Sequence, residues 1–350
     1  MADQLRYPFD RVPDPAETIE VAPGVLWLRM PLELTGLSHI NLWLLDDGDG
    51  WTIVDTGMNT ETIRELWDRV LDRYLGGRPV TRVICTHFHP DHMGLAGWLC
   101  ERWQAPLWAT RREWLFGRML YLDAADVAPE FYLDHFRRLG FKPDAVEKLR
   151  ARGYNHYRES VWEIPGAHRR IVDGERIEIG GRGWQVIVGY GHAPEHACLY
   201  CGELGVMISG DQILPKITPH IGVYPSEPDA NPLEEYLDSL AHYRHLPADT
   251  LVLPAHNEPF HGLPARLDYL QTHHDERLAA LEAALSEPTR VLPTLKVLFR
   301  RRLKPFEAFL GVGEALAHLH CLIGRGRVER GLDADGVYVY RRPQAAADAA

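Results

Sequence analysis

The stretch Thr86-His87-Phe88-His89-Pro90-Asp91-His92-Met93-Gly94 constrains this chain more than any other. It follows the apolar, β-branched run Val80-Thr81-Arg82-Val83-Ile84-Cys85, which predicts a buried strand, and precedes a run from Leu95 to Trp103 whose apolar spacing predicts a helix. Three histidines and one aspartate therefore fall in a tight loop at the C-terminal end of a strand, the edge where open α/β sheets bind ligands. His87 and His89, two apart in an extended segment, project to one side, while Asp91 and His92 turn toward a second centre. Crowding such side chains together without a shared partner is costly, so the pattern points to bound metal rather than to a polar turn.

Three later apolar runs end on ligand-type residues. Val186-Ile187-Val188-Gly189-Tyr190-Gly191 leads to His192, Val206-Met207-Ile208-Ser209-Gly210 to Asp211, and Leu251-Val252-Leu253-Pro254-Ala255 to His256. An earlier run, Trp51-Thr52-Ile53-Val54, ends on Asp55-Thr56-Gly57. With H-x-H-x-D-H at 87–92, this set resembles the metallo-β-lactamase superfamily over roughly residues 20–262. The resemblance implies an α+β fold, the four-layer αβ/βα sandwich. It implies that His87, His89 and His192 hold one metal, that Asp91, His92 and His256 hold the other, that Asp211 bridges, and that Asp55 supports the metal shell. The glycines that many relatives carry around the last histidine are replaced here by Ala255 and Asn257.

Imidazole with carboxylate suits zinc, so two Zn²⁺ ions are expected, with iron or manganese as alternatives. Two divalent ions can hold a hydroxide at neutral pH, and Asp91 would orient that nucleophile and accept its proton. The expected activity is hydrolysis of a thioester or carboxylic ester or lactone of a small organic acid, since the ligand set resembles that of glyoxalase II. A metal-dependent nuclease or phosphodiesterase and a mononuclear-iron persulfide dioxygenase are the alternatives.

Substrate contacts are less constrained. In the resembled fold a loop over Pro31–His39 overhangs the metals, which makes His39 a candidate. His196 is a candidate pocket or supporting residue, and Lys216, His220 and Tyr224 follow Asp211 in a loop expected beside the metals. An aromatic- and Arg-rich insertion at about 111–162, divided by Pro129, Pro143 and Gly153, predicts three helices that serve either as a lid or as a packed embellishment.

From Pro264 the pattern changes to helices followed by a short ribbon, which resembles the winged-helix appendage of one subgroup of the superfamily. The expected domains are 1–262, hydrolase, and 263–350, winged-helix-like. Lys296, Arg300, Arg301, Arg302, Lys304, Arg325, Arg327 and Arg330 make that end locally basic. The whole chain nevertheless carries a formal charge of −11, which disfavours nucleic acid as partner and favours packing on the main domain or in a homodimer. Five cysteines, odd in number and set in apolar runs, fit a reducing compartment, and Cys198-x-x-Cys201 on a predicted strand reads as structural. No apolar signal core opens the sequence and no run is long enough to span a bilayer, so a cytoplasmic enzyme acting on a small molecule, without membrane contact, is expected.

Overall fold

The computed structural model describes residues 5–34, 36–299 and 301–343; Arg300, one of the basic residues named above, lies outside the described residues. Its contacts divide the chain into two units, the first drawn from Met1–Ala124, Asn155–Pro219 and Ser239–Asp268, the second from Ala125–Tyr154, His220–Asp238 and Tyr269–Ala350. Neither unit is a single sequence segment. The division expected at 262/263 separates only the last of the second unit's three pieces.

The first unit holds two sheets. One runs in the order β1 (Thr18–Ala22), β2 (Val25–Leu34), β3 (Leu37–Asp46), β4 (Trp51–Val54), β5 (Val80–Ile84), β6 (Leu107–Ala109), β7 (Arg169–Arg170). It is antiparallel through β4 and parallel from β4 to β7. The other contains β8 (Arg176–Ile179), β9 (Arg182–Gly189), β10 (His196–Cys201), β11 (Val206–Gly210) and β12 (Leu251–Pro254), antiparallel except for the parallel pair β11 and β12. Trp27, Trp43, Val54 and Ile84 from the first sheet and Trp184, Val186, Leu199, Ile208 and Leu253 from the second share one apolar core. Because strand side chains alternate, Leu42 and Leu44 fall on the opposite face from Trp43 and are equally buried. Helix α1 (Glu61–Tyr74) is capped by Thr60 and buries Ile63, Leu66, Trp67, Val70 and Leu71, the apolar stripe its sequence spacing predicts.

The segment Pro31–His39 is not the expected overhanging loop. β2 and β3 continue through it as a hairpin, with Pro31 opposite His39 and Leu34 opposite Leu37. The metal-motif segment follows β5 and contains the short helix α2 (Pro90–Met93), then α3 (Ala96–Trp103). The 111–162 insertion forms α4 (Arg111–Leu122), α5 (Glu130–Arg138), α6 (Pro143–Arg152) and a 3₁₀ turn at His156–Glu159. Only α4 and the 3₁₀ turn belong to the first unit.

In the second unit α5 joins the C-terminal helices, with Phe136 stacked on Phe309 at 5.3 Å between ring centroids. Beyond α7 (Pro232–Ser239), the C-terminal elements are α8 (Leu263–Ala284), α9 (Val291–Leu298), α10 (Pro305–Gly324) and the antiparallel ribbon β13 (Glu329–Leu332) with β14 (Tyr338–Arg341). Helix α10 begins earlier than Gly313, where its apolar pattern starts, because Pro305 can occupy the first turn and Glu307 accepts the Lys304 backbone N–H at 2.8 Å. No helix among the described residues is long and apolar enough to cross a membrane. All five cysteines are buried and free.

Candidate metal centre

Strand ends of both sheets deliver the candidate donors. Helix α2 starts directly after His89, with Pro90 in its first turn; the N–H groups of His92 and Met93 both donate to the His89 carbonyl at 2.9 Å. Gly94 closes that turn because nothing larger fits: a Cβ there would lie 2.2 Å from the Pro90 oxygen and 2.5 Å from the Gly57 oxygen. Asp55, at the tip of β4, adopts φ +61°, a left-handed conformation that aspartate tolerates better than most residues.

These tips converge into two groups of donor atoms, His87, His89, His192 and Asp211 in one and Asp91, His92 and His256 in the other, with the atoms of each group within 4.8 Å of one another. In the first group His87 Nε2 lies 2.8 Å from His89 Nδ1 and 3.2 Å from His192 Nε2. In the second, His256 Nε2 lies 3.5 Å from Asp91 Oδ2, and His92 Nε2 lies 3.7 Å from the same oxygen. Asp211 stands between them. Its Oδ2 is 3.4 Å from His192 Nε2, and its Oδ1 is 3.3 Å from His256 Nε2 and 3.7 Å from His92 Nε2.

Hydrogen bonds behind the rings decide which nitrogen faces inward. His92 Nδ1–H donates to Asp55 Oδ2 at 2.8 Å and His256 Nδ1–H to the His39 carbonyl at 2.8 Å, so both rings turn Nε2 toward the centre. The Asp55 carboxylate also accepts the Thr86 N–H at 2.8 Å and the Thr86 hydroxyl. His92 Nε2, His256 Nε2 and Asp211 Oδ1 are buried and make no hydrogen bond. Buried polar atoms normally have a partner, and these three face one another across distances that suit a shared cation. Burial and neighbouring imidazoles hold His87 and His89 well below the ordinary imidazole pKa, which keeps them neutral and able to donate lone pairs. Burial would lower His92 and His256 too, but Asp55, Asp91 and Asp211 drive His92 well above the ordinary range, and Asp211 with Asp91 raises His256 to about 10. The second group is thus short of positive charge. Imidazole and carboxylate donors with that deficit fit a pair of divalent cations.

The sequence profile described as the metallo-beta-lactamase superfamily matches residues 35–256, which contain every one of these donors. The chain belongs to the metallo-beta-lactamase superfamily. A second profile, the metallo-beta-lactamase-like C-terminal domain, matches residues 278–343. Among solved structures, a beta-lactamase domain protein from Burkholderia ambifaria is 44% identical, covers 98% of this chain and 99% of its own, and superposes with a TM-score of 0.91. A metallo-beta-lactamase family protein from Thermus thermophilus is 30% identical over 93% of this chain and 100% of its own, with a TM-score of 0.77. The lactamase-like protein vrtG of Penicillium aethiopicum is 22% identical over 260 residues, and this chain spans 63% of its length. Membership of this superfamily puts the chain among metal-dependent hydrolases.

The remaining candidates of this metallo-beta-lactamase family protein have other partners. His39 Nε2 accepts the Asn257 N–H at 3.0 Å, so the residue secures the His256 turn, where Asn257 takes φ +68°. His196 is fully buried, and its Nε2 accepts the Asp211 N–H at 3.1 Å. Gly210 makes that contact feasible, since at φ +49° a Cβ would lie 2.5 Å from His196 Nε2. Lys216 pairs with Glu258 at 2.7 Å. His220 and Tyr224 belong to the second unit, where His220 Nδ1 is 3.8 Å from Glu314 Oε2. Sequence reading missed Thr86, Glu113 and Tyr157. Thr86 adjoins the motif and could have been found there; Glu113 and Tyr157 carry no local signal.

Proposed function

We propose that the protein is a dinuclear zinc hydrolase acting on a thioester or a carboxylic ester or lactone of a small organic acid, with a ligand set like that of glyoxalase II. The observation that carries this reading is Asp211, which turns one oxygen to each group of donors. Two divalent cations bound there would supply Lewis acidity toward the substrate carbonyl and lower the pKa of a captured water from about 15.7 toward about 7. The chain's own residues do the rest. Asp91 Oδ2, facing His256 and His92, orients the attacking water and accepts its proton. Asp55 and the His39 carbonyl hold the His92 and His256 rings in one tautomer, and His196 holds the backbone of Asp211.

A thiol nucleophile is disfavoured. Burial pushes the Cys85 thiol well above its ordinary pKa and raises Cys100, Cys198 and Cys321 to about 12.

The C-terminal helices and ribbon read as a winged-helix-like appendage that does not grip nucleic acid. Four of its arginines already have acidic partners within the second unit: Arg301 pairs with Glu307 at 2.8 Å, Arg325 with Glu234 at 2.8 Å, Arg330 with Asp229 at 2.9 Å, and Arg327 with Glu282. Half of the eight basic residues named for this end are thus already neutralised, which supports the ester reading over the phosphodiester one.

Elemental analysis followed by a panel of acyl-thioesters, esters, lactones and phosphodiesters tests the proposal. About two zinc ions per chain with turnover of thioester or ester is the expected outcome. A single tightly bound iron with oxygen consumption would move the protein to the dioxygenase class, and metal-free protein from careful preparations would end the metal reading altogether.

A further inference from the structure

We propose that Glu113, together with Tyr157, is a positioning residue for the first group of donors, and that α4 is a bracket setting the geometry of that group independently of the second. This rests on the dinuclear reading above.

Glu113 is a fully buried carboxylate. Its Oε2 accepts the Phe88 N–H at 2.9 Å and its Oε1 accepts the Glu195 N–H at 2.5 Å. Phe88 lies between His87 and His89, and Glu195 follows three residues after His192. One side chain therefore ties together the two chain segments that carry all three histidines of the first group. The Tyr157 hydroxyl donates to the Phe88 carbonyl, so Phe88 is gripped at both its N–H and its C=O.

The start of α4 completes the bracket. The Thr110 hydroxyl donates to the Glu195 carbonyl at 2.8 Å, and the Arg112 N–H in the first turn donates to Glu195 Oε2 at 2.9 Å, a position where a carboxylate also suits the helix dipole. One turn beyond Glu113, Gly117 lets the helix lie close to the motif: a Cβ there would sit 2.9 Å from Met93 Sδ and 3.3 Å from the Tyr157 oxygen. Hiding a carboxylate is expensive unless its oxygens are satisfied. Both oxygens of Glu113 are satisfied by backbone N–H groups beside histidines of the first group, Phe88 between His87 and His89 and Glu195 after His192; the Phe88 segment then runs on into Asp91 and His92 of the second group, where Asp55 takes over the support. The second group has separate supports, Asp55 behind His92 and the His39 carbonyl behind His256.

The independence of the two supports gives the test. Metal-free protein is titrated with zinc against a chromophoric chelator so that two binding steps are resolved, and its thermal unfolding is measured alongside. Glu113→Gln keeps the side-chain shape but turns one acceptor into a donor. It should weaken one step by about 10–100-fold, the usual cost of losing a supporting partner, and leave the other step unchanged. His39→Ala leaves the His39 carbonyl in place but removes the Nε2 acceptor of the Asn257 N–H in the His256 turn, and should weaken the other step. Tyr157→Phe should weaken the same step as Glu113→Gln by a smaller factor, and the pair Glu113→Gln/Tyr157→Phe should be non-additive because both act on Phe88. Should Glu113→Gln not fold, the step selectivity of Tyr157→Phe decides alone. Wild-type affinities in both steps, or equal weakening of both with a lowered unfolding temperature of the metal-free protein, would overturn the bracket while leaving the dinuclear reading intact. A wild-type protein that binds no zinc would overturn the dinuclear reading and the bracket's role with it.

Discussion

Replacing Asp55 by asparagine separates charge and hydrogen bonding from shape. Asp55 accepts at both oxygens: Oδ1 takes the Thr86 N–H at 2.8 Å, and Oδ2 takes the Thr86 hydroxyl at 2.8 Å and His92 Nδ1–H at 2.8 Å. An amide offers one accepting oxygen and one donating nitrogen. The substituted side chain must therefore point its NH₂ either at the Thr86 N–H, leaving a buried donor without a partner, or at His92 Nδ1. The first choice costs about 1–3 kcal/mol of stability. The second forces His92 to carry its proton on Nε2, the atom that faces Asp91 and Asp211. In the second orientation the second group of donors is degraded, and a loss of about 10–100-fold in zinc affinity at that site follows, equivalent to about 1.4–2.7 kcal/mol; in the first, the His92 bond survives and the cost appears as stability instead. Backbone strain does not contaminate the comparison, because asparagine tolerates the φ of +61° at this position as aspartate does. Chelator-competition titration gives the affinity, and chemical unfolding of the metal-free protein gives the stability. Unchanged affinity at both sites together with unchanged stability of the metal-free Asp55→Asn variant would refute the argument that Asp55 holds Thr86 and sets the His92 tautomer.

Asp91→Ala should lower turnover by about 10²–10⁴-fold while the fold persists, as steady-state kinetics and circular dichroism would report; near-native rates would remove Asp91 from the acid–base role. In the second unit His274 is buried, its Nδ1 lies 3.3 Å from His318 Nε2, and its Nε2 has no partner. Burial, with His318 and His273 nearby, lowers its pKa from 6.5 to about 2. The folded state thus rejects a proton that the unfolded chain accepts. Its contribution is fully present above pH 6.5 and falls below it by about 1.4 kcal/mol per pH unit, so urea unfolding of His274→Gln should show a shallower loss of stability between pH 6.5 and 5 than the native protein. The intact protein should not bind RNA or DNA at low micromolar concentration with a steep salt dependence, in which each phosphate contact would add about 0.7–0.9 to the slope; binding abolished by Arg301→Glu/Arg327→Glu and accompanied by metal-dependent cleavage would favour the nuclease.

All seven candidate donors were legible because each stands at the end of an apolar, β-branched run, where strand pattern and ligand chemistry are both local signals. The stripe and Thr60 cap of α1 were legible for the same reason. What supports the donors was not. Glu113 sits on a helix with no motif and reaches Phe88 and Glu195 only through tertiary contacts. His39 was expected in a loop, yet it pairs with Pro31 in the hairpin, whose register shifts between Pro31 and Leu34. The unit boundaries escaped as well, since Phe136 finds Phe309 across a long stretch of sequence and nothing in either segment announces the pairing.

The donors are also far apart along the chain. His87 and His192 would share one cation, and Asp91 and His256 the other, so each ion would close a loop of more than 100 residues, a length at which restraining the unfolded chain is worth several kcal/mol. In a chain whose five cysteines are all free, the cations would serve as its cross-links. They are cross-links that a chelator can cut and a metal salt can restore, so the resistance of the fold to heat and proteases would follow the free metal concentration around it, at about 2.7 kcal/mol for metal held at a hundredfold its dissociation constant.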